Sequence, residues 1–433
     1  MRADVVVVGG GLSGLAVAAQ LTESGLEVLL AEAGDRLGGR VREREIDGFR
    51  VGGGHLAHTT WPALGALAEP EPTRAARLQL RSFSPGIRVY ADGAALRFGV
   101  APPRTPSTRA NQTQHTMATL LAPIGSVTDR ARLSKEFYRL ARGSIDASLT
   151  GQEDASGESF TARGYSPALV DGFLRRYLTA LIADEDLAAS NRGTDWLLRM
   201  LVRGRFAVPE GGFEALVRLL ADRLGAERIL LGTRAHEVHA DRVSTDAGVI
   251  RTSAVVVATD PLGAVALFPG LHEPRMRPLT TLWHSVDADA LPPGPDRVPT
   301  VLIDGDPASP VARTAVFSRV APQHAPEGRE LIGTVVCGHD GKQLDVLDQA
   351  VRGRLEQLHA VSATQLETVE IRHCERALPA LDAPYNFSRP VRLIGGLYVC
   401  GDHRGLPNVE GALATASRAA DAVLADLRRR SER

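Results

Sequence analysis

The sequence predicts an α/β protein in which a parallel-sheet lobe is interleaved with a second, α+β lobe. Three observations point there. An apolar run at Val5–Val8, a glycine-rich turn, a helical pattern and a second apolar run follow one another within the first 32 residues. Apolar runs of the same kind recur far along the chain, at Ala254–Thr259 and Leu397–Cys400. At 433 residues the chain also exceeds the roughly 250–300 residues at which a single hydrophobic core stops growing.

Asp4–Val8 is a short β-branched run that reads as a strand buried on both faces. Gly9-Gly10-Gly11-Leu12-Ser13-Gly14 follows and matches GxGxxG at Gly9, Gly11 and Gly14. Leu15–Ser24 carries Leu, Ala and Val at helical spacing, with Gly25 as its stop. Glu27–Ala31 is a second apolar strand, ending at Glu32. This is a Rossmann-type unit: Gly9 permits the tight turn, Gly11 lets the backbone approach a pyrophosphate, and Gly14 lets the helix pack close to the strands. Free N–H groups at the helix start, over Leu12 and Ser13, and the positive end of the helix dipole hold the pyrophosphate. Glu32 stands where a carboxylate can bond both ribose hydroxyls of the dinucleotide and would repel a 2′-phosphate, which disfavours NADP. The bare glycine pattern is weak in a chain with 43 glycines. The strand, helix, second strand and terminal acid around it carry the assignment.

The stretch Glu32-Ala33-Gly34-Asp35-Arg36-Leu37-Gly38-Gly39-Arg40 resembles the flavin-containing amine oxidase superfamily, where E-A-x-x-R-x-G-G-R continues from the second strand. That superfamily includes monoamine oxidases, protoporphyrinogen oxidases and phytoene-desaturase-like enzymes. The resemblance implies FAD. No covalent link is expected, because Cys374 and Cys400 read as small hydrophobes. Gly38-Gly39 allows a backbone turn beside the phosphates, and Arg40 offers them a forked cation. Phe49-Arg50-Val51-Gly52-Gly53-Gly54-His55 is similar to the family's D-x-G-G segment, with Arg50 in place of the acid, and this puts Gly53, Gly54 and His55 beside the flavin ring. Near the C-terminus, Gly401-Asp402 closes a strand and Asn408-Val409-Glu410-Gly411-Ala412 opens a helix. In the family the Asp402 carboxylate bonds the ribityl chain, and the helix start from Val409 to Ala412 offers N–H groups near the flavin, where they also stabilise negative charge on its reduced form. Ala235 falls where the family's adenine-clamping valine sits, and a main-chain clamp tolerates alanine. Ser318–Pro322 and Ala325–Gly328 resemble segments of phytoene-desaturase-like bacterial oxidoreductases.

These pieces assign residues 1–80, 205–280 and 385–433 to an FAD-binding domain and 85–204 and 281–384 to a substrate-binding domain. The first insertion opens with extended runs at Ile87–Tyr90 and Ala95–Phe98 and a Pro/Thr-rich loop at Ala101–Ser107. Helices are expected around Ala131–Ala141, Ser166–Ile182 and Asp195–Val202, with a polar loop at Gly151–Gly157. The second insertion is expected to hold strands at Val301–Ile303 and Leu331–Cys337 and a helix around Gln343–Val361. A ligand would sit between the lobes.

Composition excludes several classes of function. Lys plus Arg is 50 against 51 for Asp plus Glu, so nothing attracts nucleic acid. Cys337, Cys374 and Cys400 are scattered, which suggests neither a metal site nor a disulfide framework. No leader or run of ~18 apolar residues is visible, so a cytoplasmic protein is the simplest expectation; peripheral membrane contact and oligomeric state stay open. The expected reaction is FAD-dependent dehydrogenation of a C–C or C–N bond of a small or medium-sized metabolite by hydride transfer to flavin. A redox-neutral flavin-dependent isomerase, an amine oxidase and a non-catalytic FAD-binding protein are the alternatives. The amine oxidase is disfavoured because Thr281 stands where monoamine-oxidase-like members place a lysine, and no Lys occurs between 135 and 342. Asn408 likewise occupies one place of their two-tyrosine cage. His55 is the candidate acid–base residue, since Gly52, Gly53 and Gly54 before it have no side chains. His403 and His284 are weaker candidates.

Overall fold

A computed structural model describes residues 1–68, 78–91, 93–98, 124–143, 149–293 and 299–432. The expected loop Ala101–Ser107 lies outside the described residues. Five parallel strands form the first sheet, in the order Ile229–Leu230, Val28–Ala31, Val5–Val8, Ala254–Val257, Leu397–Val399. Every residue of Val5–Val8 and of Ala254–Val257 is buried, as continuous apolar runs in a two-sided parallel sheet must be. The helix Leu12–Glu23 runs back from the glycine turn and packs against Phe213–Leu224 and Val409–Ser431. It ends before Gly25, whose φ of 87° is the left-handed stop expected there.

The second sheet has seven strands, in the order Glu367–Pro379, Met276–Asp287, Arg329–Cys337, Val311–Val316, Val301–Asp304, Ile87–Ala91, Ala94–Phe98. All neighbours are antiparallel except Val301–Asp304 with Ile87–Ala91. The two-residue period sorts its side chains. Leu282, Val286, Ile332 and Val336 share a core with Leu347, Val351, Leu355 and Leu358 of the helix Leu344–His359. Thr281, Trp283 and Val335 alternate with them and face the other way. That second face meets the glycine run: Trp283 Nε1 donates to Gly52 O at 2.8 Å.

Several expected elements run longer than their apolar periodicity. The helix expected from Ala131 starts at Val127, because Ser126 and Asp129 form a reciprocal capping box. Pro167–Ile182 is helical with one π turn at Val170–Leu174, and Asn191–Arg203 brackets the expected Asp195–Val202. The polar loop Gly151–Gly157 is shorter than expected, since a helix begins at Ser156. The long strand Met276–Asp287 crosses the expected boundary at 280/281 and lies in the second sheet over its whole length.

Candidate active site

A cavity of about 720 Å³ lies between the glycine turn of the first sheet and the open face of the second. That is within the range usual for small-molecule sites. Among the sequence-derived residues that line it are Gly9, Gly11, Leu12, Ser13, Glu32, Ala33, Gly39, Arg40, Gly53, His55, Ala235, Gly401, Asp402, Val409 and Ala412. Gly14 and Gly54 do not. Gly14 packs under the turn, where a Cβ would fall 1.8 Å from Gly9 O. Gly54 turns towards the second sheet with φ 64°, its Cβ position only 3.1 Å from Thr281 Cγ2 and 3.2 Å from Val335 Cγ2. Close packing of loop on sheet therefore accounts for glycine at 54, and contact with a ring is not needed to explain it.

The glycine turn has the form of an anion cradle. Gly9 has φ 110° and approaches Ala258 O, whereas a Cβ at Gly11 would meet no protein atom within 4 Å and would project into open space. The helix Leu12–Glu23 begins there with no side-chain cap, so its first amides and dipole point at the cavity. Glu32 closes the turn: its Oε2 accepts from Gly10 N at 2.6 Å and its Oε1 from Gly34 N at 2.7 Å. One lone-pair direction per oxygen is left for a ligand hydroxyl.

Arg40 and Asp402 are paired, a connection across 362 residues. Arg40 Nη2 donates to Asp402 Oδ1 at 2.6 Å and Nη1 to Ala377 O at 2.9 Å. Burial works against the charge on Arg40, but the Asp402 carboxylate outweighs it and holds the guanidinium above its ordinary value. The two residues thus present one neutralised unit at the cavity edge, where the sequence suggested two separate ligands. Glu410 also has a different task from its neighbours. Its carboxylate accepts from Ala63 N at 2.9 Å and Leu64 N at 3.1 Å, capping the helix Pro62–Ala68, while Gly411 lies so near Leu406 O that a Cβ would fall 1.9 Å from it.

His55 reaches the cavity with Nε2 3.0 Å from Arg40 O. A carbonyl only accepts, so Nε2 carries the proton and Nδ1 is the free acceptor. Burial, helped by the charges of Arg40, Arg313 and Arg372, pushes its pKa down to about 4. The imidazole is neutral at neutral pH. His403 and His284 are not part of the wall. His403 is buried, with burial pushing it down to about 4, and His284 Nε2 bonds Asp348 at 2.9 Å on the opposite face of the second sheet.

Sequence reasoning missed part of the site. Trp61, Leu181, Ile182, Leu197, Met200 and Phe206 form an apolar region of the wall, and Arg313 and Arg372 line it from the second sheet beside the expected Thr281. Arg313 Nη2 donates to Gly54 O at 3.0 Å, and Arg372 Nη1 to Arg42 O at 3.1 Å. Burial lowers the Arg313 guanidinium to about 10, still charged at neutral pH. A signal for Arg313 was available: it interrupts the otherwise uncharged strand Val311–Val316.

A parallel sheet with a glycine turn, a strand-end acid and an uncapped helix start defines a dinucleotide-binding protein. The family model for flavin-containing amine oxidoreductases matches residues 12–424, so this chain belongs to that family of flavin-dependent oxidoreductases, whose members bind FAD. The chain is 50% identical over 68 residues to (S)-6-hydroxynicotine oxidase of Paenarthrobacter nicotinovorans, a match spanning 14% of this chain and only 16% of that enzyme. Among solved structures, an oxidoreductase from Methanosarcina mazei superposes with a TM-score of 0.73 at 17% identity, covering 97% of this chain and 100% of that one. Reduced UDP-galactopyranose mutase superposes with a TM-score of 0.71 at 18% identity, covering 98% and 96%. At such identities the likeness is one of fold, and a fold does not name a reaction. No helix among the described residues is long and apolar enough to cross a membrane.

Proposed function

We propose that this chain is an FAD-dependent enzyme that dehydrogenates a C–C or C–N bond of a small or medium-sized metabolite. One observation carries the reading: a single cavity joins the anion cradle at Gly11 to an apolar chamber walled by Leu181, Ile182, Leu197 and Met200. The residues present fit FAD, since the open space at Gly11 and the uncapped helix start suit a pyrophosphate. Leu12 and Ser13 would hold that group and Glu32 the adenosine ribose. Ala235 would sit beside the adenine, and Arg40 with Asp402, Gly401, Val409 and Ala412 would hold the rest. When bound, FAD supplies the two-electron acceptor.

The remaining work falls to the chain. The apolar walls exclude water and position the substrate. Neutral His55, with Nε2–H held by Arg40 O, offers Nδ1 to a proton. Thr281 lines the cavity with a hydroxyl and no cation, which disfavours a lysine-assisted amine oxidase. We also propose that the two sheets mark the two interleaved domains, with the cavity at their junction. The purified protein should be yellow and should release FAD on heating or acidification; recovery of FMN or NAD instead refutes the cofactor reading. Anaerobic mixing with candidate metabolites then tests the reaction. Bleaching of the flavin colour by one of them supports dehydrogenation, and turnover with no net electron acceptor points to an isomerase.

A further inference from the structure

Arg313, Val335, Thr281 and Arg372 are directly paired residues on four adjacent strands of the second sheet, Arg313 with Val335, Val335 with Thr281, and Thr281 with Arg372. Directly opposed residues share a face, so this row lies on the side that meets the glycine run and the cavity. It places two guanidinium groups three strand spacings apart, roughly 14–15 Å between backbones, with a threonine hydroxyl between them.

Neither guanidinium is neutralised. Among the described residues no carboxylate forms an ion pair with Arg313 or Arg372, and Arg313 Nε is buried with no hydrogen-bond partner. Several other arginines are matched by carboxylates. Arg277 is paired with Asp184 at 3.1 Å and Asp382 at 2.7 Å, Arg354 with Asp304 at 2.6 Å, and Arg40 with Asp402. Arg176, which has no carboxylate, donates instead to two carbonyls, Asp304 O and Val311 O. Burial works against the charge on Arg313, a cost that is removed when an anion arrives, and Arg372 is half-buried in the same row. Both residues also lie close enough to His55 for their charges to weigh against its protonation.

We propose that Arg313 and Arg372 form an anion subsite that receives a carboxylate of the substrate, whose apolar body lies against Leu181, Ile182, Leu197 and Met200. The proposal deepens the dehydrogenase reading and rests on it: the substrate class becomes an amphiphilic carboxylate. The planar guanidinium fork matches a carboxylate, and the Thr281 hydroxyl can donate to the same oxygens.

Benzoate and its neutral isostere benzamide test the subsite on the FAD-loaded protein, by calorimetry and by perturbation of the flavin spectrum. FAD content is measured first, because protein that does not retain FAD refutes the functional reading, whereas loaded protein indifferent to ligand charge refutes only the subsite. Benzoate should bind the parent at least about 10-fold tighter than benzamide, and Arg313→Gln should weaken benzoate by at least about 10-fold while leaving benzamide unchanged. Arg372→Gln should act in the same direction, and Arg313→Lys should restore part of the loss. Three results overturn the proposal: no benzoate binding to the parent, equal affinity for benzoate and benzamide, or an Arg313→Gln protein that loses FAD yet binds benzoate normally once refilled. If Arg313→Gln does not fold, the comparison of the two ligands on the parent decides alone.

Discussion

Replacing Glu32 should damage the protein twice, and the two effects are separable. Its carboxylate holds Gly10 N at 2.6 Å and Gly34 N at 2.7 Å, so it ties the glycine turn to the loop after the second strand before any ligand arrives. Hydrogen bonds to a charged group contribute about 1.5–3 kcal/mol each. In Glu32→Ala both amides are orphaned, but the site is only partly buried and water can reach it. The net loss in the apoprotein should therefore be nearer that of one bond, about 1.5–3 kcal/mol. FAD affinity should fall in addition by about 10- to 100-fold, because the ribose loses its acceptor and the cradle its shape. Urea unfolding of the apoprotein measures the first effect, and titration of apoprotein with FAD the second. Glu32→Gln sharpens the test: its amide oxygen can accept from one N–H while its amino group faces the other, so it should rescue at most half the stability. An unchanged unfolding midpoint in Glu32→Ala would refute the structural role, and an unchanged FAD affinity would place the ribose elsewhere.

Gly11→Ala and Gly14→Ala should behave oppositely. The first adds a methyl to open space and should fold normally with FAD binding weakened, whereas the second drives Cβ to 1.8 Å from Gly9 O and should fail to give soluble protein; comparable FAD loading of both would contradict the cradle. His55→Ala should keep FAD bound with a near-parental spectrum, yet slow substrate-driven flavin reduction by about 10-fold or more in stopped flow, and a parental rate would remove His55 from the chemistry. Acid should destabilise the fold early. Burial lowers His55, His324, His359 and His403 to about 4 and His58 to about 3, from an ordinary 6.5. Between pH 6.5 and about 4 the unfolded chain binds protons that the folded one refuses, so stability falls as pH falls, by up to about 1.4 kcal/mol per pH unit for each histidine. Glu43, raised by burial to about 7, opposes this with a single proton. A melting temperature flat from pH 7 to 5 would refute the balance.

Local chemistry made the parallel sheet and the glycine turn legible, because each strand is a continuous apolar run and each turn residue has a steric reason. The start of the helix Val127–Arg142 was not, since its first turn is set by the Ser126–Asp129 cap and carries no apolar period. Within the site, residues whose role is fixed by backbone shape, such as Gly11 and Glu32, could be placed from their neighbours. Arg40 was legible as a cation but not as the partner of Asp402, because that contact depends on how the two ends of the chain meet. Arg372 was invisible for the same reason, and Arg313 showed only as a charge interrupting an otherwise uncharged strand, without its partner in the row. Arg372 looks like any other of the chain's 48 arginines until strand register sets the two in one row.

The meeting of the two ends also sets an order on biosynthesis. Ser13 Oγ donates to Ala412 O at 3.0 Å, and Leu397–Val399 covers the edge of Ala254–Val257 in the first sheet. The glycine turn and Arg40 precede Asp402 and Ala412 by more than 360 residues, so one wall of the cavity and the counter-charge of Arg40 are made later. The nascent chain therefore carries an open strand edge and an unmatched cation. The cavity is complete only once the chain has passed Ala412, so a dinucleotide held there would bridge segments made early and late.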